Sequence, residues 1–194
     1  MTSPLLLMRI FCLVVAASCI SQGAVAQGER TFVVRSDDGL FCAAFDYAAG
    51  LMVTSSHCAT SDTLRVSDGR SAFVLSQGDF AGSSGPFDGT DKDIAFLVPS
   101  APRRALRIDR RRTDVGSILY LLPPGEAPRP CPLVEQRGLT LILDCYAEEG
   151  WSGSPIVRIG WFGARRVVGV LSGIEPASRY SWATHISAAD HLRR

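Results

Sequence analysis

The sequence lacks most of the features that mark whole functional classes. No run of consecutive apolar residues reaches the roughly 18 needed to cross a bilayer. No close C-x-x-C pair suggests a zinc site, and no G-x-x-x-x-G-K loop suggests a nucleotide phosphate. Charge of neither sign prevails, with 20 Lys+Arg against 19 Asp+Glu, so the whole chain exerts no general pull toward nucleic acid or anionic membrane. Histidine is scarce, at three residues, which leaves few side chains able to serve as a base near neutral pH. Disorder is excluded as the main reading, because 46% of residues are hydrophobic and only 20% charged, enough to bury a core.

What is present begins with a leader. Arg9 precedes an apolar run, Ile10 to Ala17, and Ala24-Val25-Ala26 forms a small-x-small cleavage site before Gln27. Residues 1–26 therefore read as an export signal and 27–194 as the mature, secreted or periplasmic chain, with no stable membrane insertion after cleavage. Ala16-Ala17-Ser18 ahead of Cys19 is a weak match to a lipoprotein signal. Cys12 and Cys19 leave with the leader, and Cys42, Cys58, Cys131 and Cys145 remain. Four cysteines in an oxidising compartment suggest two disulfides, for which three pairings exist. The local pairing, Cys42 with Cys58 and Cys131 with Cys145, is preferred here; each would close a loop worth ~3 kcal/mol in the chain-entropy model.

The mature chain reads as two series of short strands separated by turn residues. The first runs through Thr31 to Arg35, Leu40 to Phe45, Leu51 to Ser55, Leu64 to Val66, Ala72 to Leu75 and Ile94 to Val98. The second runs through Ser117 to Leu122, Leu133 to Gln136, Leu139 to Leu143, Ile156 to Ile159, Val167 to Ser172 and Trp182 to Ile186. Asp37-Asp38-Gly39, Asp68-Gly69, Gly82 to Pro86 and Pro123-Pro124-Gly125 punctuate them, as expected of an all-β sandwich or barrel. A helical signal appears only after Ser187, a candidate cap for a short terminal helix. Residues 101–113, with Arg103, Arg104, Arg107, Arg110, Arg111 and Arg112 around the single acid Asp109, divide the two series. No aromatic residue lies there to stack on bases, so the segment reads as a solvated linker and not a nucleic-acid site.

Three elements carry candidate chemistry. His57 follows the strand Leu51 to Ser55 and precedes Cys58, whose disulfide would hold its backbone. Asp93 opens the apolar run Asp93-Ile94-Ala95-Phe96-Leu97, and a carboxylate entering a hydrophobic strand has to be paired or hydrogen-bonded; Asp91 is its nearest competitor. Gly150-Trp151-Ser152-Gly153-Ser154-Pro155 places a serine between glycines, suited to a tight turn that exposes its hydroxyl and aims N–H groups at one point.

Taken together in the order His, Asp, Ser, the chain resembles the trypsin-like, chymotrypsin-fold serine proteases over roughly residues 30–192. Thr54-Ser55-Ser56-His57-Cys58-Ala59 is similar to T-A-A-H-C, Asp93-Ile94-Ala95 to D-I-A, and the serine hexamer to G-D-S-G-G-P and its bacterial variant G-N-S-G-S-P. Val168 to Gly173 resembles the strand lining the substrate cleft, and Ala183 to Ser187 the strand before the terminal helix. The resemblance implies two six-stranded antiparallel β-barrels (27–100 and 114–194, the latter with the terminal helix) and a cleft between them. It implies Ser152 as nucleophile, His57 as base, Asp93 as its orienting carboxylate, and the N–H groups of Gly150 and Ser152 as the oxyanion hole. Polypeptides are the implied substrates, and no metal or cofactor is implied.

One departure bears on mechanism: Trp151 stands where animal members carry the acid that captures a newly cut amino terminus. The expected consequence is a chain competent from Gln27 without a terminus-to-acid bridge. By resemblance Tyr146, Ala147, Ser172, Gly173, Ile174 and Ser181 line the specificity pocket. Tyr146 replaces the acid of trypsin itself, and Ile174 and Ser181 replace glycines of open-pocket members, which favours small substrate side chains. An α/β-hydrolase is disfavoured, because Ser154 occupies the last glycine of the G-x-S-x-G elbow and the strand–helix alternation is missing. The alternative that remains is a protease-fold binding protein without turnover.

Overall fold

The computed structural model describes residues 31–59, 63–67, 72–76, 80–83, 93–99, 105–175 and 179–192. The expected leader 1–26, Asp91, Arg103 and Arg104 lie outside the described residues. The first half holds β1 (Thr31–Ser36), β2 (Phe41–Ala48), β3 (Leu51–Thr54), β4 (Thr63–Ser67), β5 (Ala72–Ser76), β6 (Phe80–Ser83) and β7 (Ala95–Leu97). The second holds β8 (Ile118–Leu121), β9 (Arg129–Arg137), β10 (Thr140–Leu143), β11 (Pro155–Ile159), β12 (Arg165–Ile174), β13 (Ser181–His185) and a terminal helix α1 (Ala188–Leu192).

The second half closes into a barrel in the order β10-β13-β12-β11-β8-β9, and the first forms a half-barrel sheet, β5-β4-β1-β2-β3-β7-β6. The architecture is thus all-β with two barrel-like halves, as expected. Among the described residues the first half has one strand more than expected. Phe80–Ser83 overlaps a Gly/Ser-rich stretch that reads as a turn, but it pairs with β7 through an irregular register, Phe80 opposite Leu97 and Ser83 opposite Ala95. Tertiary pairing along an open edge overrides weak local propensity there.

Alternation of buried and open positions explains β1, where Phe32, Val34 and Ser36 point inward. Strands β2 and β12 instead read as continuous buried runs, because both of their faces are covered. On β2, Cys42 and Ala44 join the first-half core with Phe32, Met52, Leu64 and Leu97. Phe45 and Tyr47, on the same strand, join a separate core between the halves. On β12, Val168 and Leu171 face the second barrel's own core, while Val167 and Val170 meet Phe45, Val53, Ile94 and Phe96 across the junction. Full burial of each such side chain contributes roughly 1.5–3 kcal/mol, so the two halves are held together by a core and not merely by a tether.

The segment between the halves is part of that junction. Leu106 is buried in the central core, its N–H donates to the Asp46 carbonyl at 2.8 Å, and Arg107 and Asp109 exchange backbone hydrogen bonds with Val167. Arg107, Arg110, Arg111 and Arg112 are exposed, but Asp109 is buried and accepts hydrogen bonds from Arg111 Nε and Arg158 Nη1 at 3.0 and 2.7 Å. The Arg111 hydrogen bond is the largest cause, opposed by burial and helped by the Arg158 charge, that brings the Asp109 pKa from 3.8 down to about 2. A carboxyl whose folded pKa is depressed contributes stability above its ordinary pKa and loses it as pH falls through the folded value. Asp109→Asn is therefore expected to cost about 2 kcal/mol near neutral pH, at ~1.36 kcal/mol per pKa unit. Urea denaturation of both proteins checks this: their difference should shrink as pH falls from about 4 to about 2.

Candidate active site

His57 lies in a single 3-10 turn, Ser56–Cys58, directly after β3. The Cys42–Cys58 disulfide ties this turn to β2; a second disulfide, Cys131–Cys145, ties β9 to the segment before the serine turn. Asp93 comes from the residues entering β7, the neighbour of β3, and is 2% exposed. Its carboxylate is fully used. One oxygen meets His57 Nδ1 at 2.8 Å, and the other accepts from Ser56 Oγ at 2.6 Å and from the His57 backbone N–H at 3.1 Å. Burial by itself raises the Asp93 pKa, but the His57 hydrogen bond and charge, with the Ser56 hydroxyl and the His57 N–H, outweigh it and leave the carboxyl below its ordinary value. An ionised Asp93 accepts from Nδ1–H, so the neutral ring carries its lone pair on Nε2.

His185 illustrates the opposite fate for the same side-chain type. It is buried, with Nδ1 against Ser187 Oγ at 2.7 Å and Nε2 donating to the Arg111 carbonyl at 3.3 Å. Burial pushes its pKa down. Both ring nitrogens are engaged in structure, whereas the His57 side chain retains 28% exposure beside the cleft.

Ser152 sits in the turn between β10 and β11. The N–H groups of Trp151, Gly153 and Ser154 donate to the carbonyls of Glu148, Leu171 and Trp151 at 3.2, 2.7 and 2.9 Å. Among the described residues, those of Gly150 and Ser152 have no protein acceptor. The turn is docked on the first half, with Ala43 N–H donating to the Ser152 carbonyl at 2.6 Å. This approach requires glycine at 153: its φ is +89°, and an added Cβ would strike the Ala43 carbonyl and lie 2.6 Å from Thr54 Oγ1. Ser152 Oγ itself donates only a long, 3.5 Å hydrogen bond to the Ser172 carbonyl.

Trp151, in the place of the expected acid, is 6% exposed and belongs to the second-barrel core. The Arg129 guanidinium covers its ring at 4.3 Å from the centroid and reaches Glu148 and Glu126, each at 3.1 Å. A cation–π contact and core packing therefore brace the serine turn from the side. Neither Arg129 nor Glu148 is marked by a local sequence motif. The only signal for Ser56 was its hydroxyl where the family motif has alanine, and no local signal marks Arg129, which lies 22 residues from the ring it covers.

A cleft of ≈610 Å³ runs past these groups, lined among others by Phe41, His57, Glu149, Gly150, Ser152 and Ile174. Of the six expected pocket residues, Gly173 and Ile174 border it. Ala147 and Ser181 are fully buried, Ser181 Oγ donating to the Cys145 carbonyl at 2.7 Å. Ser172 is 3% exposed and Tyr146 57% exposed; neither lines this cleft. Phe41 and the acids Glu148 and Glu149 do. Phe41 opens β2 and the two acids come from the segment before the serine turn, and their place beside the serine is set by the folded backbone, so their sequence gives no cue.

Chemically, the cleft is bordered by a serine, by an imidazole oriented by a buried carboxylate, and by two residues, Gly150 and Ser152, whose N–H groups have no protein acceptor among the described residues. No family model matches the sequence, and no curated protein matches it. Solved structures do resemble the fold. A human pathogenic astrovirus serine protease superposes with TM-score 0.61 at 18% identity, over 84% of this chain and 92% of that one. Rv3671c from M. tuberculosis, as a serine-to-alanine mutant in an inactive form, gives 0.64 at 18% identity, over 91% and 90%. The Rv3671c protease, also in an inactive form, gives 0.63 at 19% identity, over 87% and 89%. The chain therefore has the fold of the chymotrypsin-like serine proteases.

Proposed function

We propose that this chain is an exported, secreted or periplasmic serine endopeptidase that cleaves polypeptides through an acyl-enzyme. The observation that carries the reading is the 2.8 Å contact between His57 Nδ1 and a buried, fully hydrogen-bonded Asp93, beside the cleft that Ser152 also borders. A buried carboxylate directed at an imidazole fixes the ring's tautomer and orientation and would stabilise it as a cation, as a catalytic base requires.

On this reading the Ser152 hydroxyl attacks the scissile carbonyl while His57 Nε2 takes its proton and returns it to the leaving amine. Asp93 holds the tautomer and stabilises the imidazolium; a depressed pKa keeps it ionised throughout. The Gly150 and Ser152 N–H groups receive the oxyanion, and donors already in place need no reorganisation as charge develops. Water then releases the acyl group by the reverse route. Ile174 borders the cleft, and on this reading it favours small substrate side chains.

Labelling of the purified chain from Gln27, disulfides closed, with a fluorophosphonate tests the proposal. An adduct located on Ser152 by mass spectrometry is the expected result. A folded chain that takes up no label would instead be a protease-fold binding protein.

A further inference from the structure

The turn joining β11 to β12 displays the most exposed aromatic side chains among the described residues: Trp161 at 86% and Phe162 at 98%. The turn is narrow and closed, with Gly163 N–H donating to the Gly160 carbonyl at 3.1 Å and Gly160 N–H to the Ala164 carbonyl at 2.7 Å. Phe162 occupies the left-handed region, φ 62° and ψ 24°. A bulky residue is disfavoured in that conformation. Local folding preference therefore accounts for neither the residue types at this tip nor their exposure. The two rings stand edge to face with centroids 6.3 Å apart, and Ile159, also exposed, extends the apolar surface down β11.

The charged residues that the hairpin itself contributes have one sign. From Pro155 to Ile174 the chain carries Arg158, Arg165 and Arg166 and no acid; Arg158 is paired with buried Asp109, and Arg165 and Arg166 stand opposite Ile159 and Arg158 in the hairpin. Arg107, exposed, is joined to the same strand by its carbonyl, which accepts from Val167 N–H at 2.8 Å. The chain as a whole is nearly neutral, so this is a local concentration of cation beside an aromatic point. A tip this exposed suits a yielding surface, and its arginines suit one that is anionic. Trp and Phe partition to the headgroup boundary, and arginine stems reach phosphates while lying along apolar surface.

We propose that the β11–β12 hairpin tip docks this protein peripherally on an anionic lipid surface. Trp161 and Phe162 enter the interface, and Arg165 and Arg166 meet the lipid phosphates. Two rings are too few to anchor irreversibly, so the contact is reversible and salt-sensitive.

The test is co-sedimentation of the full, oxidised mature chain with vesicles of phosphatidylglycerol and phosphatidylcholine, against vesicles of phosphatidylcholine alone. Binding to the former, weakened by about 0.5 M salt, is expected. Trp161→Ser with Phe162→Ser should weaken it about tenfold or more, and Arg165→Gln with Arg166→Gln several-fold. Phe162→Gly, which relieves the left-handed strain, gives a variant whose folding is not in question and should also bind less. Equal binding to both vesicle types, no binding, or undiminished binding by the aromatic variants would each overturn the proposal. So would a concentration-dependent dimer abolished by the same aromatic substitutions, which would make the tip a protein-docking surface.

Discussion

Ser152→Ala is expected to lower the turnover of a peptide substrate by on the order of 10⁶ while substrate affinity changes little. The reasoning is geometric. The Oγ atom makes only a 3.5 Å hydrogen bond to the Ser172 carbonyl, so its removal leaves no buried group without a partner and no cavity of consequence. The turn that holds it is organised by backbone contacts, Ala43 to Ser152 and Gly153 to Leu171 at 2.6 and 2.7 Å, which alanine retains. Stability should therefore be close to unchanged, and the loss should fall on kcat. Steady-state kinetics with parallel denaturation curves checks both halves. A variant retaining more than about a hundredth of the activity would show that Ser152 is not the nucleophile, since a missing nucleophile and a misplaced one differ by several orders of magnitude.

Asp93→Asn should lower kcat by about 10⁴, for a different reason. The amide is nearly isosteric, so the contacts at 2.6, 2.8 and 3.1 Å keep their spacing. The negative charge disappears, however, and an NH2 group facing Nδ1 selects the wrong imidazole tautomer. His57 then has no lone pair on Nε2 for the serine proton. The substitution also removes a pH-dependent part of stability. Because the folded pKa of Asp93 lies below its ordinary 3.8, ionised Asp93 stabilises the fold above that pH and ceases to do so as pH falls through the lower, folded value. Wild type and variant should therefore converge in stability at strongly acidic pH while differing in activity near neutrality. Measured kcat and denaturation midpoints across pH separate the two effects; full activity in Asp93→Asn would remove Asp93 from the mechanism.

How much of this was legible beforehand differs by element. Most strands were, because β1 alternates and because Gly, Asp and Pro mark the turns. β6 was not, since a Gly/Ser-rich segment becomes a strand only when an edge is offered to it. The residues His57, Asp93 and Ser152 were legible as candidates because each stands in a string of matching neighbours. The 2.8 Å meeting of His57 with Asp93 joins positions 36 residues apart, a distance that no local pattern encodes. The cleft was only partly legible: Gly173 and Ile174 border it, Ala147 and Ser181 lie inside the fold, and Phe41, Glu148 and Glu149 also line it.

The sequence by itself determined the class of the fold and the order of the candidate groups. Those are properties of residue type and spacing, which short-range sterics and side-chain chemistry translate directly. The tertiary structure alone decided how Trp151 is braced, by Arg129 from a distant strand. It also decided that Asp109 serves as a buried anchor for Arg111 and Arg158 within what reads as a solvated linker. It decided, finally, that two aromatic residues stand uncovered at a hairpin tip. Burial and pairing depend on which surfaces meet once the chain has closed on itself, and that information belongs to the packed whole and to no single segment of it.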